Sequence, residues 1–391
     1  MTKASKEGQR KAPILRFKGF TDDWEQRKLG EIFKFSQGLQ VPIDQQFERK
    51  EENTERFIRI VDVTQDNIPQ RFVYNPTGKG RVNLDDIFFV RYGAVGTIGH
   101  GFKGVIANNL FKVIPLIDIN PLFWFYQFSD IRFNSRLKAL SASTSMPAIN
   151  FNTLRKMIIS NTSIVEQNKI GTILKSLDNL LTLYDRKTKL IKQIQSSFLD
   201  CFFSETNNVT SLNHFLRIRN GYAFKSSELT ENGEIPVVKI SNIGSNKPFT
   251  FTTKAKSKEQ FTLYPNDIII ALSGATAGKI NQVANKYPLY YQNQRVGFFE
   301  IKNDRLNCEY LNSFLHSKKF KSQLQKTLVA GAQPNITPKD IEKIKIPFLE
   351  YELQQTIGQV NKYLFELQRI NKDKLTLLNK IKKTLLNNMF V

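Results

Sequence analysis

The segment Gly274-Ala275-Thr276-Ala277-Gly278-Lys279-Ile280 has the residue types of a phosphate-cradling loop, with glycines to free backbone N–H groups and a lysine to meet phosphate oxygens. Only three residues separate its glycines where that motif needs four, and Ile280 stands where a Ser or Thr must hold magnesium. A matching stretch, Gly93 to Gly99, has no lysine, so a tight turn used twice is the better reading. Metal chemistry fares no better. His100, His214 and His316 lie far apart, and the two cysteines, Cys201 and Cys308, stand 107 positions apart without a CxxC spacing. Satisfied or exposed histidines are expected, with no zinc knuckle and no disulfide framework, and this cysteine usage fits a reduced cytoplasm.

Asn120-Pro121-Leu122-Phe123 is similar to the Asn-Pro-Pro-Tyr/Phe tetrapeptide that holds the target amine in adenine methyltransferases. Its third position departs from that pattern, it shows no counterpart in the other half of the chain, and no Gly-rich cofactor loop follows a strand nearby. It therefore reads as a helix start. There is no Gly-x-Ser-x-Gly elbow, no His-Glu-x-x-His pair and no nuclease cluster of acids and lysine, so the chain reads as a binder without its own active site. Its polar, basic loops are more informative. In the first half Lys79, Arg81, Arg91, Tyr92, Lys103, Asn108 and Asn109 lie in or beside turns. In the second half Lys239, Asn242, Lys247, Lys254, Lys256, Thr276, Lys279 and the run Gln292, Asn293, Gln294, Arg295 do so. Ser143 and Thr144 precede one proline loop, and Gln333 and Asn335 flank another. Arg and Lys neutralise phosphates or read guanine, while Asn and Gln read adenine by paired hydrogen bonds, so loops mixing these types suit duplex DNA. The same types also populate any solvated surface, and the proline loops are equally turns that start a helix.

The elements that must position these loops follow from bulk properties and from repetition. A chain of 391 residues with 40% hydrophobic and 12% aromatic residues has material for two or three packed domains. Against 35 acidic residues stand 57 Lys and Arg, a formal charge of +22 that points to a polyanion, either nucleic acid or an anionic membrane surface. Met1 to Lys11 is polar and basic without an apolar core, and the most apolar stretch, Val113 to Ile131, is interrupted by Pro115, Asp118 and Pro121. Neither a signal peptide nor a membrane span is expected.

The text Met146-Pro147-Ala148-Ile149-Asn150 recurs as Gln333-Pro334-Asn335-Ile336-Thr337, an offset of 187 residues. That offset holds without a gap through Gln167/Gln354, Gly171/Gly358, Leu180/Leu367, Ile194/Ile381 and Phe203/Phe390, and with small gaps the match extends upstream to Gly93-Ala94 and Gly274-Ala275. Nearly the whole chain is two copies of one unit. Each copy opens with short apolar runs, such as Ile87 to Val90 and Ile268 to Leu272, which read as strands of an α+β domain. Each closes with a long heptad-periodic helix. With Ile170 as a, the a series is Ile170, Leu177, Tyr184, Ile191 and Phe198, then Ile357, Leu364, Asn371, Leu378 and Leu385 in the second copy. The d series is Ile173, Leu180, Lys187, Ile194 and Cys201, then Val360, Leu367, Lys374, Ile381 and Asn388. Such heptads predict an a/d coiled-coil seam, with forty residues making a rod of roughly 60 Å. Two amphipathic helices packed on their own domains are the alternative. On the rod, Leu174, Leu181, Phe202, Leu375 and Met389 are expected to face outward, toward another protein.

Arg16-Phe17 through Trp24-Glu25, Lys28-Leu29-Gly30-Glu31-Ile32, the Gly-Ala turns, Ala332-Gln333-Pro334-Asn335-Ile336, and the Gln-x-x-Ile-Gly helix starts at 167–171 and 354–358 appear in tandem. Together they resemble the specificity subunit of type I restriction-modification systems over residues 14–391. The resemblance implies two tandem α/β target-recognition domains, each followed by a long helix, the helices pairing as an antiparallel coiled coil about an internal pseudo-twofold. Its segments are residues 1–160, a recognition domain; 161–205, a central helical spacer; 206–347, the second recognition domain; and 348–391, a C-terminal spacer. Each domain is expected to read one half of a bipartite target in double-stranded DNA, and the helices to set the gap and dock two modification (methyltransferase) subunits. S-adenosylmethionine, ATP and Mg are expected on those and on the restriction/translocase subunits, with no cofactor, metal or catalytic residue in this cytoplasmic chain. A stand-alone two-domain DNA-binding regulator, a lone methyltransferase, and a basic scaffold for RNA or membrane are the competing readings.

Overall fold

The structure is a computed structural model that describes residues 12–141, 148–204, 208–245, 247–252, 259–328 and 335–391. The chain forms two compact units, unit 1 from Met1–Asp185 with Lys374–Val391, and unit 2 from Arg186–Asp373. Unit 1 runs β1 (Glu25–Lys28), α1 (Leu29–Ile32), β2 (Phe33–Gln37), β3 (Thr54–Ile58), α2 (Ile60–Thr64), β4 (Arg71–Tyr74), β5 (Arg81–Val82), β6 (Ile87–Val90), β7 (Ile98–Gly99), β8 (Gly104–Ile106) and β9 (Leu110–Pro115). It continues with α3 (Pro121–Ser129), α4 (Ile131–Ser141), α5 (Phe151–Lys156), β10 (Ile158–Asn161) and the first half of α6 (Ile164–Phe203). Its strands make an antiparallel sheet of order β2-β9-β6-β7, a mixed sheet β4-β3-β8-β5 with β3 and β8 parallel, and the pair β1-β10.

Unit 2 repeats this order, with 3-10 turns at Leu212–His214 and Ile240–Asn242 in the places of α1 and α2. After the second half of α6 come β11 (Val209–Ser211), β12 (Leu216–Asn220), β13 (Ile235–Val238), β14 (Thr250–Thr252), β15 (Thr262–Leu263), β16 (Ile268–Ala271), β17 (Ile280–Gln282), β18 (Tyr290–Gln292) and β19 (Val296–Ile301). Then follow α7 (Cys308–His316), α8 (Lys318–Leu328), α9 (Pro338–Glu342), β20 (Lys345–Pro347) and α10 (Tyr351–Met389), whose last part returns to unit 1. The sheets are β12-β19-β16-β17, β14-β13-β18-β15 with β13 and β18 parallel, and β11-β20.

The central strands explain the short, unbroken apolar runs. In β6, Ile87 and Phe89 face the core shared with the helices while Phe88 and Val90 face the mixed sheet. Ile268 and Ile270 against Ile269 and Ala271 do the same in β16. A strand covered on both faces has no position left for a polar alternation. The helical core of unit 1 is aromatic, with Trp24, Phe33, Phe89, Phe111, Phe123, Trp124 and Phe128 closing on Ile170 and Leu174 of α6 and on Met389 and Phe390. Unit 2 packs Tyr310, Phe314 and Phe320 against Leu199, Phe203 and Ile357.

The repeated Gln-x-x-Ile-Gly joins each long helix to its domain. Gln167 Oε1 accepts from the Asn120 amide at 2.9 Å and its Nε2 donates to the Thr162 carbonyl at 2.9 Å. Gln354 makes the same bonds to Asn307 (2.9 Å) and Leu349 (2.8 Å). One turn on, a Cβ at Gly171 would meet Asn120 Oδ1 at 2.6 Å, and one at Gly358 would meet Glu309 Cβ at 2.7 Å, so only glycine admits these close approaches. Asn120 caps α3, its side chain accepting from the Phe123 amide, with Pro121 in the first turn. Asn120-Pro121-Leu122-Phe123 is the helix start expected, but the expectation that it has no counterpart is corrected for its first residue, since Asn307 caps α7 at the equivalent place.

Within each unit the two helix segments run antiparallel. Lys382 pairs with Asp178 at 2.5 Å and Lys374 lies over the Tyr184 ring in unit 1, while Gln195 bonds both Asn361 (2.8 Å) and Gln368 (2.7 Å) in unit 2. The a series, Ile170, Leu177, Tyr184, Ile191, Phe198, Ile357, Leu364, Asn371, Leu378 and Leu385, is buried or half-buried. Its expected partner series needs correcting. Most d positions turn outward, the apolar ones from 38% exposed at Val360 and Ile381 to 49% at Ile194, while Ile173 stays half-buried against the core of unit 1 and Asn388 is half-buried. The next residue along, position e, faces inward, so Leu174, Leu181, Phe202, Leu375 and Met389 belong to the interior and not to an outer face. Polar members of that series are used there, Gln195, Asn361 and Gln368 satisfying one another and Lys382 reaching Asp178. Among the described residues no helix is long and apolar enough to cross a membrane.

Candidate nucleic-acid interface

Three loops meet at one end of the antiparallel sheet in each unit. In unit 1 the Arg91 amide, just past β6, donates to the Asn109 carbonyl at 2.8 Å, the Ile149 amide donates back to Arg91 at 2.9 Å, and Tyr92 bridges to Ala148. In unit 2 the Leu272 amide donates to Arg295 at 3.0 Å, the Ile336 amide to Leu272 at 2.8 Å, and Ser273 bridges to Asn335. The Gly-Ala turns start beside this seam, Gly93 and Gly274 both taking positive φ (+88° and +76°). Backbone bonds hold the loops, so the side chains are free to differ, which is the usual division between scaffold and binding surface.

Each seam floors an open cleft. That of unit 1, about 490 Å³, is lined by Arg91, Asn150, Phe151, Asn152, Thr153 and Arg155 among others. That of unit 2, about 730 Å³, is lined by Asn220, Ser273, Gln294, Arg295, Asn335 and Thr337, together with the Gly274-Ala275 turn. Both present amides, hydroxyls and arginine guanidinium groups on a concave wall, a chemistry suited to base edges and phosphates.

Of the residues expected from sequence, the structure brings Arg91, Tyr92 and Asn109 to one seam, with Asn108 in the adjoining turn, and Gln294, Arg295 and Asn335 into the other cleft. Asn293 is half-buried beneath, bridged to Tyr222. Two others are corrected to interior roles. Gln292 is fully buried, its amide donating to the Arg219 (2.6 Å) and Val296 (2.7 Å) carbonyls, and buried Asn242 braces the Lys247 and Pro248 carbonyls at 3.2 Å each. Lys239, whose amide donates to Asn242, and exposed Lys247 sit on that loop, against which Thr276 donates to the Ile240 carbonyl and Lys279 packs beside Gly244. Lys79, Arg81 and Lys103 lie apart, exposed around β5 and β8, with Arg81 forked onto Glu55. Ser143, Thr144, Lys254, Lys256 and Gln333 lie outside the described residues. Sequence reasoning missed Gln37, Asn150, Phe151, Asn152, Arg155, Asn220 and Ser273. The offset of 187 that maps Asn150 onto Thr337 and Ala148 onto Asn335 marks the segment but not which of its side chains line a cleft.

The phosphate-loop imitation is a hairpin turn, the Gly278 amide closing on the Ala271 carbonyl at 2.8 Å. His316 Nδ1 sits 2.8 Å from the Asn312 carbonyl, and His214 Nδ1 lies 3.1 Å from that of Ser211. Among the described residues no group of three or more His, Cys, Asp or Glu side chains could hold a metal ion.

Two stretches, residues 21–193 and 204–382, match the family model described as the type I restriction modification DNA specificity domain. The chain belongs to that family. Members are noncatalytic specificity subunits, catalytic activity lying on partner subunits, so this specificity subunit recognises DNA sequence for a complex with other restriction-modification subunits. It is similar to the type I restriction enzyme MjaVIII specificity subunit of Methanocaldococcus jannaschii, 25% identical, with 94% of this chain and 92% of the relative covered. The putative MjaX specificity subunit of the same organism is 22% identical over the same shares of the two chains. In fold it matches the crystal structure of the type I restriction-modification system S subunit from M. genitalium, with TM-score 0.70, 17% identity, and 97% and 99% of the two chains covered.

Proposed function

We propose that each unit of this specificity subunit reads one half of a bipartite target in double-stranded DNA through its three-loop cleft, and that the paired helices set the gap and dock two modification subunits. One observation carries this reading. The two clefts share a backbone seam bond for bond, yet Arg91, Tyr92 and Ala148 in one stand where Leu272, Ser273 and Asn335 stand in the other. A duplicated scaffold with unlike side chains is what reading two different sequences requires, since base edges are told apart by donor and acceptor pattern.

The docking of two partners is supported by the outward helix faces. Unit 1 exposes Leu180 and Leu183 on α6 and Leu377 and Ile381 on α10. Unit 2 exposes Leu367 and Ile370 on α10 and Leu190 and Ile194 on α6, the same four positions under the offset of 187. Apolar side chains repeated on a solvent-facing helix surface mark a protein contact. S-adenosylmethionine belongs to the modification subunits in this reading, ATP and Mg to a restriction/translocase subunit, and the complex works in the cytoplasm.

Exchanging residues 208–347 for those of another family member, followed by methylome sequencing, tests the proposal. One half of the methylated motif should change and the other persist. A change in both halves, or in neither, would overturn it.

A further inference from the structure

At the centre of each seam, one backbone bond pairs Arg91 with Asn109 in unit 1 and Leu272 with Arg295 in unit 2. The arginine at position 91 therefore has no counterpart in the same place. It is also held. Its Nε donates to the Ile149 carbonyl at 3.3 Å, its Nη1 to Gln37 Oε1 at 3.1 Å, and its guanidinium lies 5.2 Å from the centre of the Phe151 ring. Asn220, one methylene shorter, replaces Gln37 in unit 2.

A phosphate needs only a positive charge within reach, and a freely turning arginine or lysine supplies it. A guanine edge needs more. Its O6 and N7 form two acceptors in one plane, and an arginine fork meets both only when that plane is set. Ordering a long side chain costs entropy at the moment of binding unless the protein has already ordered it. The ring, the carbonyl and the amide around Arg91 do this on the wall of an open cleft. The two hydrogen bonds use one N–H of Nε and one of Nη1 out of the five that a guanidinium carries.

We propose that Arg91 is a specificity-determining residue that reads a guanine in the half-site of unit 1, with Gln37 as its positioning residue. This rests on the cleft reading above and adds to it a base identity and an asymmetry. The half-site of unit 2, facing Leu272 at that place, has no guanine read in this manner.

The test uses the full chain co-purified with its modification subunits and duplexes carrying the motif found by methylome sequencing. Each guanine in turn is replaced by 7-deazaguanine, which lacks the N7 acceptor. One guanine in the half-site assigned to unit 1 should respond, binding weakening about tenfold or more. Arg91→Lys should bind the unmodified duplex more weakly by a similar factor and ignore the replacement at that position, while responses in the other half-site stay as they were. Gln37 is itself held, its Nε2 donating to the Asn108 carbonyl at 2.8 Å, and Gln37→Ala should shrink the ratio between guanine and 7-deazaguanine. The proposal is overturned if no guanine in that half-site responds, if Arg91→Lys responds as wild type does, or if Arg91→Ala, which removes the charge, weakens every duplex alike with the salt slope falling by about one, the sign of a phosphate contact. The wild-type scan decides even where a variant fails to fold, and failure of the exchange experiment would sink the cleft reading separately.

Discussion

Arg16, Trp24 and Thr162 converge on the Glu166 carboxylate at the start of α6, Arg16 forking onto it at 2.7 and 2.9 Å and the Trp24 indole donating at 3.2 Å. Burial by itself would raise this carboxyl, but the hydrogen bonds and charge of Arg16, with Thr162 and Trp24, more than offset it and hold Glu166 below the usual carboxylate range. A group whose folded value is depressed stabilises fully above its unfolded value, about 4.3 for Glu, and loses that contribution as pH falls through the folded value. Glu166→Ala leaves Arg16 without its partner and should cost about 3 kcal/mol in chemical denaturation near neutral pH. The difference from wild type should shrink on acidification below about pH 4. A constant difference down to strong acid would mean that packing and not charge holds the N-terminal segment. Position 353, the repeat equivalent, is an exposed Leu, so unit 2 lacks this latch.

At the scale of elements, the heptad helices carry two apolar surfaces, one spent on pairing and one left to solvent. Leu180→Asp with Leu183→Asp puts charge on the outward face of α6 in unit 1 without touching the inward a and e series. Helix content by circular dichroism should be unchanged. Analytical ultracentrifugation of the co-expressed complex should then show one modification subunit lost. Leu367→Asp with Ile370→Asp should remove the other, and all four changes should remove both. Two subunits retained by the fourfold variant would mean that partners dock elsewhere. Counting apolar residues picks the wrong inward face, because the d series is the more apolar of the two while e carries Thr188, Gln195, Asn361, Gln368 and Lys382. The polar e residues Gln195, Asn361 and Gln368 argue against burial until their partners are known, and in the fold they satisfy one another.

For the whole molecule, the reading makes the helices a spacer. The bonds of Gln195 to Asn361 and Gln368 set which levels face each other in unit 2, and they bring Thr188 and Asn371 near the same level. One heptad inserted after each of these residues keeps the inward series in phase and adds ~10 Å of helix, the length of about three base-pair steps of duplex. Methylome sequencing of cells carrying the insertion should show both half-site sequences retained and the gap between them lengthened. Methylation at the original spacing only would mean that the helices do not measure the gap.

Residue spacing and repetition along the chain already reveal the duplication, the central strands, the two long helices, the junction glutamines and glycines, and the basic polar loops, because each rests on spacing within a short stretch or on direct comparison of two stretches. They do not determine which apolar series of a helix turns inward, since that depends on surfaces brought from nearly two hundred residues away. Gln292 and Asn242 show the same limit in the other direction. Their polar side chains look like surface groups in the sequence, and only the tertiary structure supplies the carbonyls that let them be buried. The clefts likewise exist only in the fold. Gln37, Arg91 and Phe151 lie far apart along the chain, and they become one binding wall because backbone bonds from three loops close on the same end of a sheet.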